Sequence, residues 1–219
     1  MVIKLYGHPR SVCTTRVAIV LYQKEIPYEL ITIDFANAEH KSPAFKEKQP
    51  FGQIPYLEDN GFIVFESRAI CRYLAMKYKD QGPRLLPDFN NLHATALFEQ
   101  ALSIEVANFD AYAMPAVLEN VIKKMRGQTP NPEVFNALIE ELDAKLKGYE
   151  VILSKQKYLA GNEITLADLN HLPYGALLLV AGSDILSKQG PNFSRWWNEL
   201  LALDSWKAVS QGVPEKSNF

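Results

Sequence analysis

Residues 50–68 of the chain read PFGQIPYLEDNGFIVFESR, and this stretch predicts a β-hairpin that leads into a helix. Residues 59–61, Asp-Asn-Gly, are a strong turn signal, because Asn and Gly tolerate the positive φ angles that tight hairpin turns require. The apolar residues on either side of the turn predict two paired strands, 55–58 and 62–65. A helix is expected to follow over residues 66–78.

The residues before this hairpin predict a strand, a helix and a second strand. The expected bounds are 2–6 for the first strand, 12–23 for the helix and 28–33 for the second strand. With the hairpin and its helix they give the order βαβ followed by ββα. That order is thioredoxin-like, a fold in which the functional loop follows the first strand and a cis-proline opens the third. Residues 1–79 are therefore predicted to form one α/β domain.

The pattern lapses between residues 80 and 90, where Gly82-Pro83 and Pro87-Asp88 interrupt the chain. We predict a linker there and an all-helical second domain over residues 91–219. One long helix in it is indicated by apolar residues that share a face, namely Leu138, Leu142, Leu146, Tyr149 and Leu153.

Residues 164–169, ITLADL, resemble a motif but have a structural explanation. Thr165 can cap a helix, and Asp168 can accept a hydrogen bond from the Thr165 N–H. We interpret this segment as a folding element without a role in the site.

Composition and charge exclude several classes of function. With 47% hydrophobic residues, a chain of 219 residues can bury a substantial core. The net charge of −2 offers no basic surface for nucleic acid. The longest apolar run, residues 176–181, falls short of the ~20 residues that a membrane helix needs. No signal peptide is evident, so a cytoplasmic protein is expected.

A metal site and a structural disulfide are not expected either. The four histidines are scattered, and neither Cys13 nor Cys71 has a companion at the spacing of metal ligands. The two cysteines are far apart in sequence, and a reducing compartment is expected for them.

The hairpin also predicts a binding edge. Ile54, which precedes Pro55, can pair through its backbone N–H and C=O groups with an extended peptide, as another strand would. Glu66 and Ser67 stand where a strand gives way to a helix, whose first N–H groups favour a carboxylate. Glu66 can meanwhile bind an ammonium group. The expected ligand is a short peptide that carries both charges.

These residues resemble the glutathione transferases, and within that family they are most similar to the serine-type phi class. The resemblance covers essentially the whole chain, and the ordered set of motifs makes it specific. The motifs are Tyr6-Gly7-His8-Pro9-Arg10-Ser11, Glu39-His40-Lys41, Pro50-Phe51-Gly52-Gln53-Ile54-Pro55 and Phe65-Glu66-Ser67-Arg68-Ala69-Ile70. It implies an enzyme that joins glutathione to hydrophobic electrophiles, and possible reduction of organic hydroperoxides. Glutathione is then a co-substrate, and no cofactor is needed.

The resemblance implies that Ser11 is the catalytic residue, although a serine at a helix start is also a good capping residue. Its hydroxyl would donate a hydrogen bond to the glutathione sulfur and hold it as the thiolate. Lowering a thiol pKa by about two units requires roughly 2.7 kcal/mol. A hydrogen bond to a charged group contributes ~1.5–3 kcal/mol and a helix N-terminus ~0.3–1 kcal/mol, so no external base is required.

The resemblance also implies which residues hold glutathione. They are His40, Lys41 and Gln53 at the glycyl end, Ile54 and Pro55 along the backbone edge, and Glu66, Ser67 and Arg68 at the γ-glutamyl end. An exposed, solvated loop is the alternative for His40 and Lys41. Arg68 either neutralises Glu66 or supports the helix.

A pocket for the electrophile is expected between the domains. Its predicted lining is Arg10, Val12 and Phe35 from the first domain and Phe109 and Tyr112 from a helix of the second. Aromatic residues at helical spacing are more often part of a core, which is the alternative for the last two.

Phe51 matches a position at which several relatives insert an aromatic side chain into a partner subunit. A symmetric homodimer is therefore expected, with Phe51 used twice. A core position is the alternative.

Two other functions remain open from the sequence. One is a ligand carrier that keeps the fold and the glutathione site but has little turnover. The other is a thiol transferase that acts through Cys13, although residues 11 and 13 of a helix start point in different directions.

Overall fold

The computed structural model describes residues 2–217 and 219, and the chain divides into two compact units. The first unit comprises Met1–Leu86 and Leu203–Phe219, and the second comprises Pro87–Ala202. The predicted class is observed, with an α/β unit and a helical unit. The prediction differs at the C-terminus, because it assigned residues 203–219 to the helical domain.

The first unit is built on a mixed sheet, which has four strands among the described residues in the order β2-β1-β3-β4. The strands are β1 (Ile3–Gly7), β2 (Tyr28–Thr32), β3 (Tyr56–Asp59) and β4 (Phe62–Phe65). β1 runs parallel to β2 and antiparallel to β3, and β3 runs antiparallel to β4. The helices of this unit are α1 (Val12–Gln23), α2 (Pro43–Lys48) and α3 (Ser67–Lys77), with a 3₁₀ turn at Glu39–Lys41.

The hairpin between β3 and β4 turns at Asn60 and Gly61, whose φ angles are +52° and +87°. Positive φ at both central residues matches the right-handed twist of the flanking strands. The predicted hairpin is therefore present, and the strands of this unit lie within one residue of their expected bounds.

The C-terminal segment returns to the edge of this sheet for a physical reason. An uncovered edge strand presents unpaired backbone groups. Here the Leu30 N–H donates to the Glu215 carbonyl at 2.7 Å, and the Tyr28 hydroxyl donates to the Pro214 carbonyl at 3.0 Å. These hydrogen bonds attach the C-terminal segment to β2, so the segment is part of the first unit.

The second unit consists of helices. They are α4 (Leu92–Glu105), α5 (Ala111–Val117), α6 (Lys123–Met125), α7 (Pro132–Leu153), α8 (Leu166–Leu169), α9 (Leu172–Val180) and α10 (Pro191–Leu201). Wider π-helical turns at Val106–Asp110 and Leu118–Ile122 join α4, α5 and α6, and a 3₁₀ turn spans Ile185–Lys188. The remaining helix, α11 (Asp204–Val209), lies in the first unit.

The long helix predicted from apolar spacing is α7. Of the five residues predicted to share its apolar face, Leu142, Leu146, Tyr149 and Leu153 are buried, and Leu138 is half-buried. Asn131 caps its first turn by accepting a hydrogen bond from the Glu133 N–H at 2.9 Å.

Asp168 confirms the interpretation of residues 164–169 as a folding element. Its carboxylate is fully buried and accepts hydrogen bonds from the Thr165 N–H at 2.8 Å and the Thr165 hydroxyl at 3.0 Å. It also accepts from the Leu159 N–H at 2.9 Å and the Trp196 indole N–H at 3.0 Å. Burial raises the pKa of Asp168, while these donors act in the opposite direction. One side chain therefore ties the start of α8 to α10.

We predict that Asp168→Ala lowers the free energy of unfolding by roughly 3 kcal/mol, because four buried donors lose their acceptor. Urea unfolding followed by circular dichroism measures this. Trp196→Phe removes a single donor of the same set and should cost less than Asp168→Ala does. A loss under about 1 kcal/mol for Asp168→Ala would contradict the structural role.

No helix in the described part of the chain is both long and apolar enough to cross a membrane.

Candidate functional site

Three loops and one helix start that carry predicted site residues lie at the same end of the sheet. The strand register explains this: Gly7 pairs with Thr32, Tyr6 pairs with Tyr56, and Tyr56 pairs with Phe65. Because β1, β2 and β4 end where β3 begins, the loop to α1, the loop after β2, the loop before β3 and the start of α3 emerge together.

Ser11 is the N-cap of α1. Its side-chain oxygen accepts a hydrogen bond from the Thr14 N–H at 3.3 Å, and its own N–H donates to the His8 carbonyl at 2.9 Å. A serine hydroxyl has one proton and two lone pairs, so capping leaves the proton free to be donated. Capping and donation to a ligand are therefore compatible in the same side chain.

A close contact between β1 and α1 positions that serine. A Cβ added at Gly7 would come within 2.5 Å of Thr14 Oγ1, so glycine is needed for the helix to approach the strand end. Thr14 Oγ1 accepts a hydrogen bond from the His8 N–H at 3.2 Å. The first turn of α1 is thus tied to the end of β1, with Ser11 between them.

The loop before β3 is held by side chains from two directions. Lys41 Nζ donates to the Gly52 carbonyl at 2.7 Å, and the Gln53 N–H donates to Gln49 Oε1 at 3.0 Å. Gly52 has a φ of +59°, and a Cβ there would meet the His40 carbonyl at 2.7 Å. The loop therefore requires glycine at residue 52 and brings residues 40 and 41 against Gly52, next to Gln53.

The Ile54-Pro55 peptide bond is cis, as expected for the proline that opens the third strand. Ile54 lies just before β3 and is half-buried. Among the described residues, none forms a backbone hydrogen bond with the Ile54 N–H or C=O. Both groups remain available to an extended ligand.

Glu66, the residue before α3, has a positive φ of 68° with a ψ of 109°. A non-glycine residue held in this region costs roughly 1–3 kcal/mol, and such strain concentrates at functional sites. The carboxylate of Glu66 is exposed. The backbone therefore holds an accessible negative charge beside the first N–H groups of α3.

Ser67 is buried, and its hydroxyl already has a partner. Arg16 Nη1 donates to Ser67 Oγ at 3.0 Å and also contacts Cys13 Sγ at 3.5 Å. At the helix start the backbone N–H of Ser67 also stands free of an intrahelical partner and can be presented to a ligand. Arg16 itself is only 1% exposed and links α1 to α3.

Arg16 was missed from the sequence, although a signal for it exists. It directly precedes residues 17–20, Val-Ala-Ile-Val, within a helix whose other residues are largely buried. A charged residue in such a position requires a partner. Gln49 was missed as well, and no local pattern marks it.

Phe35 lies between two histidines. Its ring centroid is 5.6 Å from that of His8 and 4.6 Å from that of His40. Burial, together with the positive charge of Lys41, lowers the pKa of His40. The imidazole is therefore neutral at neutral pH, and it can still donate one hydrogen bond.

The remaining predicted residues of the first unit occupy varied positions. Arg10 is exposed, whereas Val12 and Arg68 are half-buried. Phe51 is 65% exposed, with its ring 6.2 Å from that of Phe65. This exposure contradicts the alternative that Phe51 is a core residue.

In the helical unit, Phe109 occupies the position of a core residue. It is 1% exposed and packs against His171, with ring centroids 4.6 Å apart. The expectation that Phe109 lines an open pocket is not met here, because its ring is enclosed by residues of its own unit. Tyr112 is half-buried, with Lys145 Nζ 5.9 Å from its ring centre.

The two cysteines differ in environment. Cys71 is fully buried in α3, and burial raises the pKa of its thiol to about 12. It stays protonated and is inaccessible, whereas Cys13 is partly exposed at the start of α1. Over residues 2–217 and 219, no cluster of three or more potential metal ligands occurs.

Comparison with known proteins shows similarity along the chain. Residues 1–76 match the family model for the glutathione S-transferase N-terminal domain, and residues 109–204 match that for the C-terminal domain. Glutathione S-transferase hmp2 of Hypomyces subiculosus is 44% identical, and the alignment covers 96% of this chain and 99% of that protein.

Two solved structures extend this similarity. Glutathione transferase F7 from Populus trichocarpa has a TM-score of 0.90 and 37% identity, covering 97% of this chain and 100% of the poplar chain. Glutathione S-transferase I from maize, solved in complex with an atrazine glutathione conjugate, has a TM-score of 0.87 and 35% identity. That alignment covers 96% of this chain and 97% of the maize chain.

We predict that the pKa of His40 lies below the value of about 6.5 that is ordinary for histidine. Lys41→Met should raise it only part of the way, because burial is the larger cause. Since the folded state prefers the neutral ring, the contribution of His40 to stability decreases as the pH falls below the unfolded value. NMR titration of the ring protons measures the pKa.

Lys46→Met is the matched control, because it removes an exposed lysine of α2 that does not perturb His40. A pKa at or above the ordinary value in the unaltered protein would contradict the role of burial.

Proposed function

Because the chain belongs to the glutathione S-transferase family, we propose that it joins the sulfur of glutathione to hydrophobic electrophiles, with Ser11 as its catalytic residue. The similarity to F-type, or phi-class, transferases supports the serine-dependent mechanism. The observation that carries the assignment of Ser11 is its position at the start of α1, where its hydroxyl proton is not used by the cap.

Ser11 stabilises the thiolate and does not act as a nucleophile. The bond from the Thr14 N–H withdraws electron density from the Ser11 oxygen, which strengthens its O–H as a donor. The first N–H groups of α1 add the partial positive charge of a helix N-terminus. The hydrogen bond from the Ser11 hydroxyl and the helix N-terminus together favour the thiolate by roughly 2–4 kcal/mol, which suffices to ionise a thiol at neutral pH.

The segments at the sheet end orient glutathione. Glu66 faces the ammonium group of the γ-glutamyl end, and the Ser67 N–H faces its carboxylate, with Arg68 as a support. The free backbone groups of Ile54 pair with the cysteinyl residue, as a strand would.

The glycyl carboxylate lies near His40, Lys41 and Gln53. Lys41 uses its ammonium group on the carbonyls of Phe51 and Gly52, at 3.4 and 2.7 Å, and an ammonium group has three N–H donors in all. Lys41 therefore shapes the loop and still carries positive charge toward the ligand. His40 contributes a neutral donor.

The thiolate attacks an electrophilic carbon of the second substrate, and the same thiolate can reduce organic hydroperoxides. The maize relative bound to an atrazine glutathione conjugate supports a hydrophobic electrophile. Arg10, Val12 and Phe35 of the first unit contribute to its site. Detoxification of such compounds in the cytoplasm is the corresponding biological role.

A homodimer is supported by the exposure of Phe51. A large apolar side chain that remains mostly exposed in the single chain is typical of an interface anchor. The loop that carries it is rigid, because Lys41 and Gln49 hold the adjacent backbone.

The thiol transferase alternative is assigned to Cys13, whose sulfur contacts the Arg16 guanidinium at 3.5 Å. A carrier without turnover is the other alternative. A carrier could lose Ser11 without penalty, so the intact Ser11 favours the enzyme. Assays of turnover in the unaltered protein and in the Ser11 and Cys13 variants distinguish all three.

We predict that Ser11→Ala lowers kcat/KM for conjugation of an aromatic chloride by roughly 10- to 150-fold, the equivalent of one hydrogen bond to a charged group. The affinity for glutathione should change little. The pH at which kcat/KM is half-maximal should also rise by about one to two units, because the thiolate loses its donor. Steady-state kinetics against pH measures both effects.

Three variants control this experiment. Ser11→Gly removes the hydroxyl at a capping cost of only a few tenths of a kcal/mol, and Ser11→Thr restores it. Cys13→Ser should be nearly silent. Full activity in Ser11→Gly would refute the serine mechanism, an inactive Cys13→Ser would favour the thiol transferase, and glutathione binding without turnover in the unaltered protein would favour the carrier.

We predict that Phe51→Ser weakens the dimer by about 30-fold, as the loss of an interface hot spot of about 2 kcal/mol does. Sedimentation velocity over a range of concentrations measures this. Phe62→Ser, which alters another exposed phenylalanine of the same unit, should leave the association unchanged. Equal effects of the two substitutions would show that Phe51 is not a specific anchor.

A further inference from the structure

A cavity of about 380 Å³ lies within the helical unit, between α9, the 3₁₀ turn at Ile185–Lys188 and α10. All of its lining residues belong to that unit, and none of them is among the residues proposed to bind glutathione or the electrophile. Its volume falls in the range of roughly 300–1,000 Å³ that small-molecule sites occupy.

Trp197 forms a rigid wall of this cavity. Its side chain is 7% exposed, and its ring lies directly over Gly175 of α9. A Cβ at Gly175 would come within 2.4 Å of Cη2 of the indole, so glycine allows this close stacking. A buried aromatic ring held in one orientation is a suitable platform for another flat ring.

The rest of the apolar lining includes Leu179, Leu186 and Leu201. Leu179 is 70% exposed even though it borders a cavity. Exposed large apolar side chains beside a concave surface are typical of binding sites. The cavity therefore combines a fixed aromatic wall with an apolar mouth.

Two serine hydroxyls of the lining are placed to accept hydrogen bonds from a ligand. Ser187 Oγ donates to the Asp184 carbonyl at 2.7 Å, and Ser194 Oγ donates to the Gln189 carbonyl at 3.2 Å. Because both hydroxyl protons are already used, the two oxygens are left as acceptors.

Charge restricts the ligand further. Among the described residues that line the cavity, Asp184 is the only one with a formal charge. Its partner Lys188 lies 2.6 Å away, outside the lining, in a pair that is exposed to solvent. The lining therefore offers no unpaired cation to an anion, which distinguishes this cavity from a second site for glutathione or its conjugates.

From these observations we infer that the cavity is a second ligand site, which takes an uncharged planar aromatic amine. The rings stack on Trp197 among the leucines, and the amine N–H donates to Ser187 or Ser194. Such a ligand binds at the same time as glutathione, since the two sites share no residue. The inference does not depend on the catalytic mechanism proposed above.

N-Phenyl-1-naphthylamine is a suitable probe, because it is neutral, carries one N–H donor and fluoresces in apolar surroundings. Titration is carried out with S-hexylglutathione at saturation, so that the glutathione and electrophile sites are occupied. We expect the probe to bind under these conditions. We expect Ala176→Phe, which places a ring in the cavity, to weaken binding at least about tenfold.

Val180→Phe is the matched control, because Val180 is an exposed residue of α9 that does not line the cavity. It should leave the affinity unchanged. Ser187→Phe fills the cavity from an exposed position and serves as the second variant if Ala176→Phe does not fold. Circular dichroism shows which variants are folded.

The sulfonated analogue, 1-anilinonaphthalene-8-sulfonate, tests the charge of the rim. It should bind this site more weakly than the neutral probe, and Asp184→Asn should reduce the difference. Displacement of the neutral probe by S-hexylglutathione, or equal affinity in folded filling variants, would overturn the inference. If S-hexylglutathione itself does not bind, the proposed function fails, and the filling variants still decide the cavity.

Discussion

The register that places Tyr6 opposite Tyr56, and Tyr56 opposite Phe65, is the constraint on which the site depends. It brings the end of β1, the start of β3 and the end of β4 to one end of the sheet. The rings of Tyr6 and Tyr56 stack with centroids 4.3 Å apart, which favours this register over shifted registers of the same strands. A slip of one residue would turn the side chains of a strand to the opposite face and separate Ser11 from Ile54 and Glu66.

Given this register, the chemistry of the site comes mainly from backbone groups at element ends. Ser11 and Ser67 stand at helix starts, Ile54 stands before a strand, and Glu66 occupies a strained turn. Helix starts and strand ends leave some backbone N–H and C=O groups without a partner in the element itself. Unpaired backbone groups are costly in a buried core, but at this end of the sheet they are donors and acceptors already positioned for the proposed peptide ligand.

Buried polar side chains hold those ends in place. Arg16 joins α1 to Ser67, and Gln49 restrains the loop before β3. In the helical unit Asp168 has the equivalent role, because it joins the start of α8 to Trp196 of α10. The indole of Trp197, the next residue in sequence, forms a wall of the cavity between α9 and α10. In both units, satisfied polar groups fix geometry that apolar packing alone specifies less strictly.

The amino-acid sequence by itself determined β1 to β4, the helices α1 and α3, the turn at Asn60-Gly61 and the buried face of α7, because periodicity and turn chemistry are local. It did not indicate α2. Its motifs also indicated Ser11 and the glutathione segments. Only the tertiary structure decided that Arg16 reaches Ser67, that Phe109 lies in a core, and that residues 214–217 pair with the edge of β2. Those contacts join residues far apart in sequence, and no local pattern specifies which distant surface a side chain or an edge strand will meet.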